Sequence, residues 1–330
     1  MILTNHDIQE FEIDLTGICN LQCPICTRNY THASHLLKKN IRPLSEIIWQ
    51  LDQFPNLNRI MLAGAISEPT GYPEFLDLIG YLNSRNIFID LFTNGSNIPN
   101  SEYKKNKNFW EDLGKLFSEG NPNNICTFTI CGSTNALHSK YRKGSSLGEI
   151  LNNIKYFKKY SFNNDCVQFI EFEYNTNDIN SKNLDYIKNM VTEWYTVQSE
   201  GRRRLLDFKK NDFKKEGIWP KEEIEKKYKK VFDRFFKIKV NPKKLNCKAI
   251  RYKKLHIDQF GTIFPCYMLM EFPESKDNYF YNLEEFKKAV EKNKVIFNFK
   301  KIHSCGFDEC KFCDQSVEKL IQYQGLDFIC

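Results

Sequence analysis

The sequence lacks the features that mark membrane, secreted and low-complexity proteins. No stretch approaches the ~20 consecutive apolar residues that a membrane span needs. Residues 1–15 contain no basic segment followed by an apolar run, so we expect no signal peptide. No internal repeat or low-complexity tract is evident. We therefore expect a soluble, cytoplasmic protein that does not associate with a membrane.

A strong excess of one charge is also missing. The chain carries 48 Lys and Arg residues against 41 Asp and Glu residues, for a net charge of +7. Its densest lysine run, from Lys226 to Lys230, follows the acidic residues Glu222, Glu223 and Glu225. This mixture is typical of a solvated helix face, so nucleic acid is not an expected partner. With 330 residues, 41% of them hydrophobic, the chain can form one large domain and a smaller one.

Twelve cysteines are the most informative residues present. In a reducing cytosol they are poor candidates for disulfides, which favours metal or cluster ligation. A first group, Cys19, Cys23 and Cys26, follows the alternating segment Phe11–Leu15, which predicts a strand with one buried face. Three thiolates on one short loop can hold three corners of a cubane iron–sulfur cluster. The fourth iron would then stay open to a substrate or cofactor.

A structural zinc ion is the alternative for this loop. Structural zinc normally has four protein ligands, and His32 or His35 could supply the fourth. This alternative would make the protein a zinc-stabilised binding module without redox chemistry.

A second cysteine group lies in the last quarter of the chain. The segment 254–265 contains two short strand-like pieces around a turn at Asp258–Gly261, which predicts a hairpin. Cysteines on both sides of this hairpin, together with a distant Cys-x-x-Cys pair, can supply four ligands to a cluster or to zinc. The group consists of Cys247, Cys266, Cys305, Cys310, Cys313 and Cys330.

The middle of the chain alternates between strand-like and helix-like segments, which predicts parallel strands joined by right-handed crossovers. This pattern is compatible with both a partial barrel and an open sheet. The segment Ser146–Glu149 resembles a capping box at the start of a helix. The predicted strands are 59–63, 87–92, 126–131 and 167–172, and the predicted helices are 43–54, 73–85, 109–117, 147–157 and 179–194.

The first cysteine loop, with Ile25 directly before Cys26, resembles the signature loop of the radical S-adenosylmethionine (SAM) superfamily. The resemblance implies an α/β fold with a partial (β/α)6 barrel over residues 1–208. It implies a catalytic [4Fe–4S] cluster on Cys19, Cys23 and Cys26 that binds SAM. Ile25 would lie near the adenine of SAM. A linker would occupy residues 209–245, and a small cysteine-rich auxiliary-cluster domain would follow at 246–330.

Two further loops resemble SAM-binding segments of that family. The sequence from Ala63 to Thr70 is similar to the family's Gly-Gly-Glu region, in which the acidic residue contacts the amino group of SAM. Glu68 has the acidic position, while Ser67 departs from the usual glycine. Asn94 lies in a Thr-Asn-Gly sequence that commonly ends the third strand of the family.

The segment from Thr129 to Arg142 resembles a third SAM-binding region. Arg142 matches the arginine expected to bind the SAM carboxylate with its planar guanidinium. Thr129 stands in place of a serine, and Cys131 replaces the usual aspartate, so no role is transferred to that carboxylate. His138 is predicted to be structural.

The C-terminal cysteines resemble a twitch-like pattern, shorter than the full SPASM pattern. This implies one auxiliary [4Fe–4S] cluster on Cys247, Cys266, Cys310 and Cys313, with Cys305 and Cys330 unassigned. The implied enzyme is an oxidoreductase or maturase. It would cleave SAM reductively to a 5′-deoxyadenosyl radical, which would abstract hydrogen from a peptide or carbohydrate-like substrate. A flavodoxin- or ferredoxin-type protein would donate the electron.

No residue is assigned as catalytic beyond cofactor binding. Tyr267 stands where some dehydrogenating relatives have an acidic residue, so a proton-accepting role does not transfer. Because the cluster loop begins by residue 19, we expect no preceding peptide-recognition domain, which weighs against leader-dependent maturation.

Overall fold

The computed structural model describes residues 2–26, 28, 40–64, 66–96, 108–198, 218, 248–265 and 279–299. Within these ranges the strands are β1 (Ile2–Thr4), β2 (Glu10–Ile13), β3 (Arg59–Leu62), β4 (Phe88–Thr93), β5 (Ile125–Ile130), β6 (Asp165–Glu171), β7 (Glu193–Gln198), β8 (Lys254–Ile257), β9 (Ile263–Phe264) and β10 (Ile296–Asn298). The α-helices are α1 (Leu44–Asp52), α2 (Phe75–Ser84), α3 (Phe109–Glu119), α4 (Asn135–Tyr141), α5 (Leu147–Lys158), α6 (Lys182–Met190), α7 (Lys248–Arg251) and α8 (Leu283–Glu291). Two 3₁₀ segments cover Pro69–Gly71 and Glu173–Asn180.

One eight-stranded sheet organises the fold, in the order β7-β6-β5-β4-β3-β2-β8-β9. Strands β2 to β7 are adjacent in chain order and parallel, with crossovers between them, as in a partial (β/α)6 barrel. Strand β8 adds in parallel to the free edge of β2, and β9 pairs antiparallel with β8. The predicted α/β fold and the predicted hairpin are confirmed. Strands β1 and β10 form a separate antiparallel pair.

Helices cover the apolar face of the sheet. In α1 and α2, apolar residues recur at the three- and four-residue spacing of a helix, so one side of each helix is buried. Phe54, two residues after α1, packs edge-to-face on Phe11 of β2 with ring centroids 4.7 Å apart. The large core that results also includes Ile60 of β3 and Ile89 of β4. The opposite face of the sheet is the interior of the partial barrel.

Charged side chains pair with one another in the barrel interior. Glu12 lies 3.2 Å from Lys254, and Arg59 lies 2.6 Å from Asp90. The prediction that Phe11–Leu15 has only one buried face is therefore wrong, because Glu12 and Asp14 are only 8% and 1% exposed. Their carboxylates find partners on the adjacent strand β8, which lies far away in the sequence.

Two other local predictions differ from the structure. The helix predicted over 179–194 ends at Met190, and Trp194 belongs to strand β7. Asp165, at the start of β6, accepts hydrogen bonds from the backbone N–H and the hydroxyl of Thr192, and this turns the chain into β7. The predicted capping box at Ser146 is also not formed. The side chain of Ser146 makes no capping hydrogen bond, and Oδ1 of Asn135 accepts the N–H of Leu147 instead.

Several predictions concern residues outside the ranges that the structure describes. Cys247, Cys266, Cys310 and Cys313 lie outside the described residues, as do Cys305, Cys330, Tyr267, His32 and His35. The linker 209–245 lies outside them as well, except for Ile218, which is buried. The domain boundaries and the auxiliary site stay predictions. Within the described residues, no helix is both long and apolar enough to cross a membrane.

Candidate active site

The first cysteine loop leaves strand β2 at the carboxyl edge of the sheet, where the loops after parallel strands meet. Thr16 starts the turn, since its hydroxyl accepts a hydrogen bond from the N–H of Ile18 at 2.7 Å. Within the loop, the N–H of Cys26 donates to the carbonyl of Cys23 at 3.1 Å. The N–H of Leu21 lies 3.5 Å from the sulfur of Cys19. Local turns thus hold the three thiols on one short segment.

Hydrogen bonds also tie the loop to its neighbours on separate sides. The carbonyl of Ile18 accepts the N–H of Glu68 at 2.8 Å, which joins the loop after β2 to the loop after β3. The N–H of Gln22 donates to the carbonyl of Lys143, in the turn between α4 and α5, at 2.9 Å. The position of the cysteines is therefore fixed by several parts of the barrel.

Apolar side chains surround the cysteines. Ile25 is 2% exposed and belongs to a second core cluster with Cys23, Cys131 and Ile66, against which Cys19 and Cys26 pack. Burial and the nearby carboxylate of Glu68 raise the pKa of Cys19 to about 12. The isolated protein therefore favours the neutral thiol. A metal bound to Cys19 would have to displace that proton, since metals bind the thiolate.

Glu68 lies at the start of the 3₁₀ segment and is 3% exposed. Its Oε1 accepts hydrogen bonds from the hydroxyls of Thr70 and Thr93, at 2.9 and 2.6 Å. Its Oε2 accepts the N–H of Asn94 at 2.8 Å and retains capacity for another donor. Burial raises the pKa of Glu68, while these hydrogen bonds oppose the rise.

Asn94 connects Glu68 to the cysteine loop. Its side-chain amide donates to Oδ1 of Asn20 at 2.9 Å and lies 4.0 Å from the sulfur of Cys19. Its own Oδ1 accepts the N–H of Ser96, which closes a turn after β4. The structure thus brings together Cys19, Glu68 and Asn94, three residues that the sequence placed on separate loops.

Arg142 follows α4 and reaches the same region. Its guanidinium, a permanent cation, lies near the sulfurs of Cys131 and Cys23. Its Nε is buried without a hydrogen-bond partner among the described residues. Burial raises the pKa of the Cys131 thiol, and the charge of Arg142 opposes part of that rise. Thr129 lies on the interior face of β5, with its hydroxyl 3.5 Å from Oε1 of Gln168.

His138 is the centre of a buried chain of hydrogen bonds. The N–H of Cys131 donates to its Nδ1 at 3.3 Å, so a neutral ring carries its proton on Nε2. Nε2 lies 3.0 Å from the hydroxyl of Ser145, which lies 2.9 Å from the hydroxyl of Ser96. Burial, with a smaller effect of the Arg142 charge, lowers the pKa of His138 to about 3. These contacts give His138 a structural role between loops.

The residues present fit an iron–sulfur cluster with bound SAM. Cys19, Cys23 and Cys26 could supply soft thiolate ligands in an apolar setting, as such clusters use. The unpartnered Nε of Arg142 and the remaining acceptor capacity of Glu68 offer opposite charges to an amino acid. Within the described residues, no three His, Cys, Asp or Glu side chains are arranged to hold a single metal ion.

Sequence reasoning missed several residues that shape this site. Three of them belong to no sequence motif and contribute to the site only through hydrogen bonds between loops: Asn20, Ser96 and Ser145. The pair of Asp14 and His256, 3.3 Å apart and each 1% exposed in side-chain area, lies on the interior face beside the cysteine loop. The alternation in β2 places Asp14 on the same side as Glu12 and could have indicated this location.

The described residues form an α/β protein whose parallel sheet carries a three-cysteine loop, a candidate iron–sulfur site, at its carboxyl edge. The sequence profile of the radical SAM superfamily matches residues 13–178, half of the chain. The chain therefore belongs to the radical SAM superfamily, whose members are enzymes that use a [4Fe–4S] cluster and SAM.

Individual relatives are more distant. A curated protein from Pyrococcus furiosus, the tungsten-containing aldehyde ferredoxin oxidoreductase cofactor-modifying protein, is 26% identical over 101 residues. That match covers 31% of this chain and 28% of the relative. Streptococcus suis SuiB bound to its precursor peptide SuiA superposes with a TM-score of 0.52 at 15% identity, covering 82% of this chain and 63% of SuiB. The structure of anSMEcpe with AdoMet and the Cp18Cys peptide gives a TM-score of 0.56 at 17% identity, covering 96% of each chain. Their likeness establishes the fold.

Proposed function

We propose that this enzyme holds its catalytic [4Fe–4S] cluster on Cys19, Cys23 and Cys26 and uses it to cleave SAM reductively. When bound, the cluster and SAM supply a 5′-deoxyadenosyl radical that removes a hydrogen atom from the substrate. The observation that carries the proposal is the convergence of the cysteine loop with Glu68 and Asn94, whose amide lies 4.0 Å from the sulfur of Cys19.

The protein's own side chains would bind and orient the cofactor. Oε2 of Glu68 would accept a hydrogen bond from the amino group of SAM, a charge-assisted contact in a buried setting. Arg142 would bind the carboxylate of SAM through its Nε. This buried donor otherwise has no hydrogen-bond partner among the described residues, which is unfavourable. Ile25 would contact the adenine, and the apolar residues around it would exclude water from the radical. Thr129, on the interior face of β5, would complete the cofactor contacts.

A peptide is the proposed substrate, with a carbohydrate-like alcohol as the alternative. Support for a peptide comes from the likeness to SuiB with its precursor peptide and to anSMEcpe with the Cp18Cys peptide. We also propose one auxiliary [4Fe–4S] cluster on Cys247, Cys266, Cys310 and Cys313. A flavodoxin- or ferredoxin-type protein would donate the electron that starts each turnover.

The test compares two cysteine variants of the full chain, reconstituted without oxygen. Wild-type protein should be brown, hold about eight irons if both clusters are [4Fe–4S], and release 5′-deoxyadenosine from SAM and dithionite. Cys26→Ala should lose about four irons and all 5′-deoxyadenosine formation while it keeps the auxiliary cluster. Cys126→Ala is the matched control, because Cys126 is buried in the main core away from the loop.

Two results would contradict the proposal. A colourless wild-type protein that binds zinc and leaves SAM intact would support the zinc-stabilised binding module instead. Unchanged 5′-deoxyadenosine formation by Cys26→Ala would remove the cysteine loop from the chemistry.

A further inference from the structure

Arg28 makes an unusual pair of contacts just beyond the cysteine loop. Its Nη1 donates one hydrogen bond to the carbonyl of Gly17 at 2.8 Å and another to the carbonyl of Ile66 at 2.5 Å. Gly17 precedes Cys19, and Ile66 precedes Glu68. One guanidinium nitrogen therefore joins the start of the cysteine loop to the loop that carries Glu68, the residue proposed to bind the amino group of SAM.

The sheet itself does not fix the spacing of these two loops. The last paired residues of β2 and β3 are Glu12 and Met61, and both carbonyls lie beyond the ends of these strands. Two other described links lie at this place: the N–H of Glu68 donates to the carbonyl of Ile18, and the hydroxyl of Ser67 lies 3.4 Å from Oδ1 of Asp14. Arg28 and these two contacts therefore brace the two loops side by side.

The contacts of Arg28 are also hard to replace. Gly17 and Ile66 are buried, so their carbonyls would lose a partner that water cannot readily supply. A donor that carries a charge makes a stronger hydrogen bond than a neutral donor. Loss of the guanidinium should therefore let the loops separate rather than leave both carbonyls unsatisfied in place.

We propose that Arg28 is a positioning residue that sets the distance between the cluster-binding cysteines and Glu68. The inference rests on the proposed function, because SAM must reach the open iron and Glu68 at the same time. Arg28 needs no contact with the cofactor for this role. Misplacement of a reacting group by about 1 Å can cost about 100-fold in rate, so a loose brace should weaken SAM binding and cleavage together.

The alternative is that Arg28 only stabilises the fold, and Arg85 provides the matched control. Arg85 also donates to two backbone carbonyls, those of Leu51 and Phe54, at 3.1 and 3.0 Å. It follows α2, before β4 begins, and thus lies at the opposite end of the strands from the cysteine loop. Removing either guanidinium takes two hydrogen bonds from backbone carbonyls, although the carbonyls of Leu51 and Phe54 also accept the N–H groups of Phe54 and Leu57. Arg85→Gln therefore controls for the loss of an arginine and its carbonyl contacts at a place away from the cysteine loop.

The experiment uses the full chain with Arg28→Gln, Arg28→Lys and Arg85→Gln. Reconstituted proteins are compared by iron content, by the EPR spectrum of the reduced cluster with and without SAM, and by equilibrium dialysis of SAM. Arg28→Gln should keep the iron of wild type, lose the SAM-dependent change in the EPR spectrum, and bind SAM at least tenfold more weakly. Arg28→Lys should restore part of the affinity, because its ammonium can still donate to the carbonyls. Arg85→Gln should bind SAM as wild type does.

Hydrogen exchange of the cluster-free proteins supplies a second readout. Amides of residues 14–26 and 66–72 should exchange faster in Arg28→Gln than in wild type or Arg85→Gln. If Arg28→Gln fails to hold iron, faster exchange confined to these segments supports the brace, and a general increase overturns it. The proposal is also overturned if Arg28→Gln binds SAM as tightly as wild type and shows the same SAM-dependent change in its EPR spectrum. Failure of wild-type protein to bind iron or cleave SAM would instead refute the proposed function.

Discussion

Acid should weaken the protein through one buried histidine, His138. Its ring accepts a hydrogen bond from the N–H of Cys131 and contacts the hydroxyl of Ser145, so the neutral form is the one that fits. Burial and the Arg142 charge lower its pKa to about 3, from an ordinary value of 6.5. The unfolded chain therefore binds a proton at His138 at a pH where the folded chain does not.

The sign and size of the effect follow from that difference. The folded pKa is depressed, so the stabilisation is complete well above pH 6.5 and is lost as the pH falls from 6.5 towards 3. One pH unit below 6.5, the loss reaches about 1.4 kcal/mol. With a urea m-value of about 2–3 kcal/mol/M, the unfolding midpoint should fall by about 0.5–0.7 M between pH 8 and pH 5.5 through this group alone.

The measurement compares wild type with His138→Gln, which cannot titrate. At pH 8 the variant should be less stable by about 1 kcal/mol, the usual contribution of a hydrogen bond. At pH 5.5 that deficit should vanish and reverse slightly, because only wild type loses the titration contribution of about 1.4 kcal/mol. His6→Gln, at an exposed position, controls for the loss of a histidine as such. Parallel urea midpoints of wild type and His138→Gln between the two pH values would refute the reasoning.

Substitutions of two glycines and two asparagines provide further tests of the loops around the site. Gly64→Ala should destabilise the protein and weaken SAM binding, because Gly64 has φ +58° and an added Cβ would overlap the carbonyl of Ser67. Gly80→Ala is the control, since Gly80 lies in α2 and an added Cβ would meet no atom within 4 Å. It should raise the thermal midpoint, because glycine within a helix costs about 0.5–1 kcal/mol relative to alanine. Asn94→Ala and Asn20→Ala should each reduce 5′-deoxyadenosine formation with iron retained. The double variant should be no worse than Asn94→Ala alone, because the two side chains are direct partners and only Asn94 also binds the N–H of Ser96. Additive losses in the double variant, or unaltered SAM binding in Gly64→Ala, would show that these contacts do not hold the site.

The sequence predicted those parts of the fold that depend on local periodicity. Helices α1 and α2 were expected over 43–54 and 73–85 and are found at Leu44–Asp52 and Phe75–Ser84. Strand β7 was missed because apolar residues continue the spacing of α6 as far as Trp194. What ends the helix is a contact with Asp165, at the start of another strand, which periodicity cannot reveal.

The candidate site was predictable only where residue types follow a known pattern. The cysteine loop, Glu68 and Asn94 carried such patterns, and the structure places them together, although their roles as ligands stay predictions. Arg28 and Ser145 carried none, because their importance depends on which loops become neighbours after folding. The auxiliary cysteines lie outside the described residues, so that prediction stays open to experiment.

Because the strands are parallel and adjacent in chain order, the loops of the candidate site lie side by side and are joined by hydrogen bonds. The loop after β2 bonds to the loop after β3 through Ile18 and Glu68, and Glu68 in turn bonds to Asn94 after β4. From there Ser96 reaches Ser145, which contacts His138. Each loop is held by its neighbour in the sheet, so a disturbance at either end of this series reaches the others. Loss of the His138 contacts, as in His138→Gln, should therefore weaken the proposed binding of SAM at Glu68 as well as stability, although no direct contact joins the two side chains.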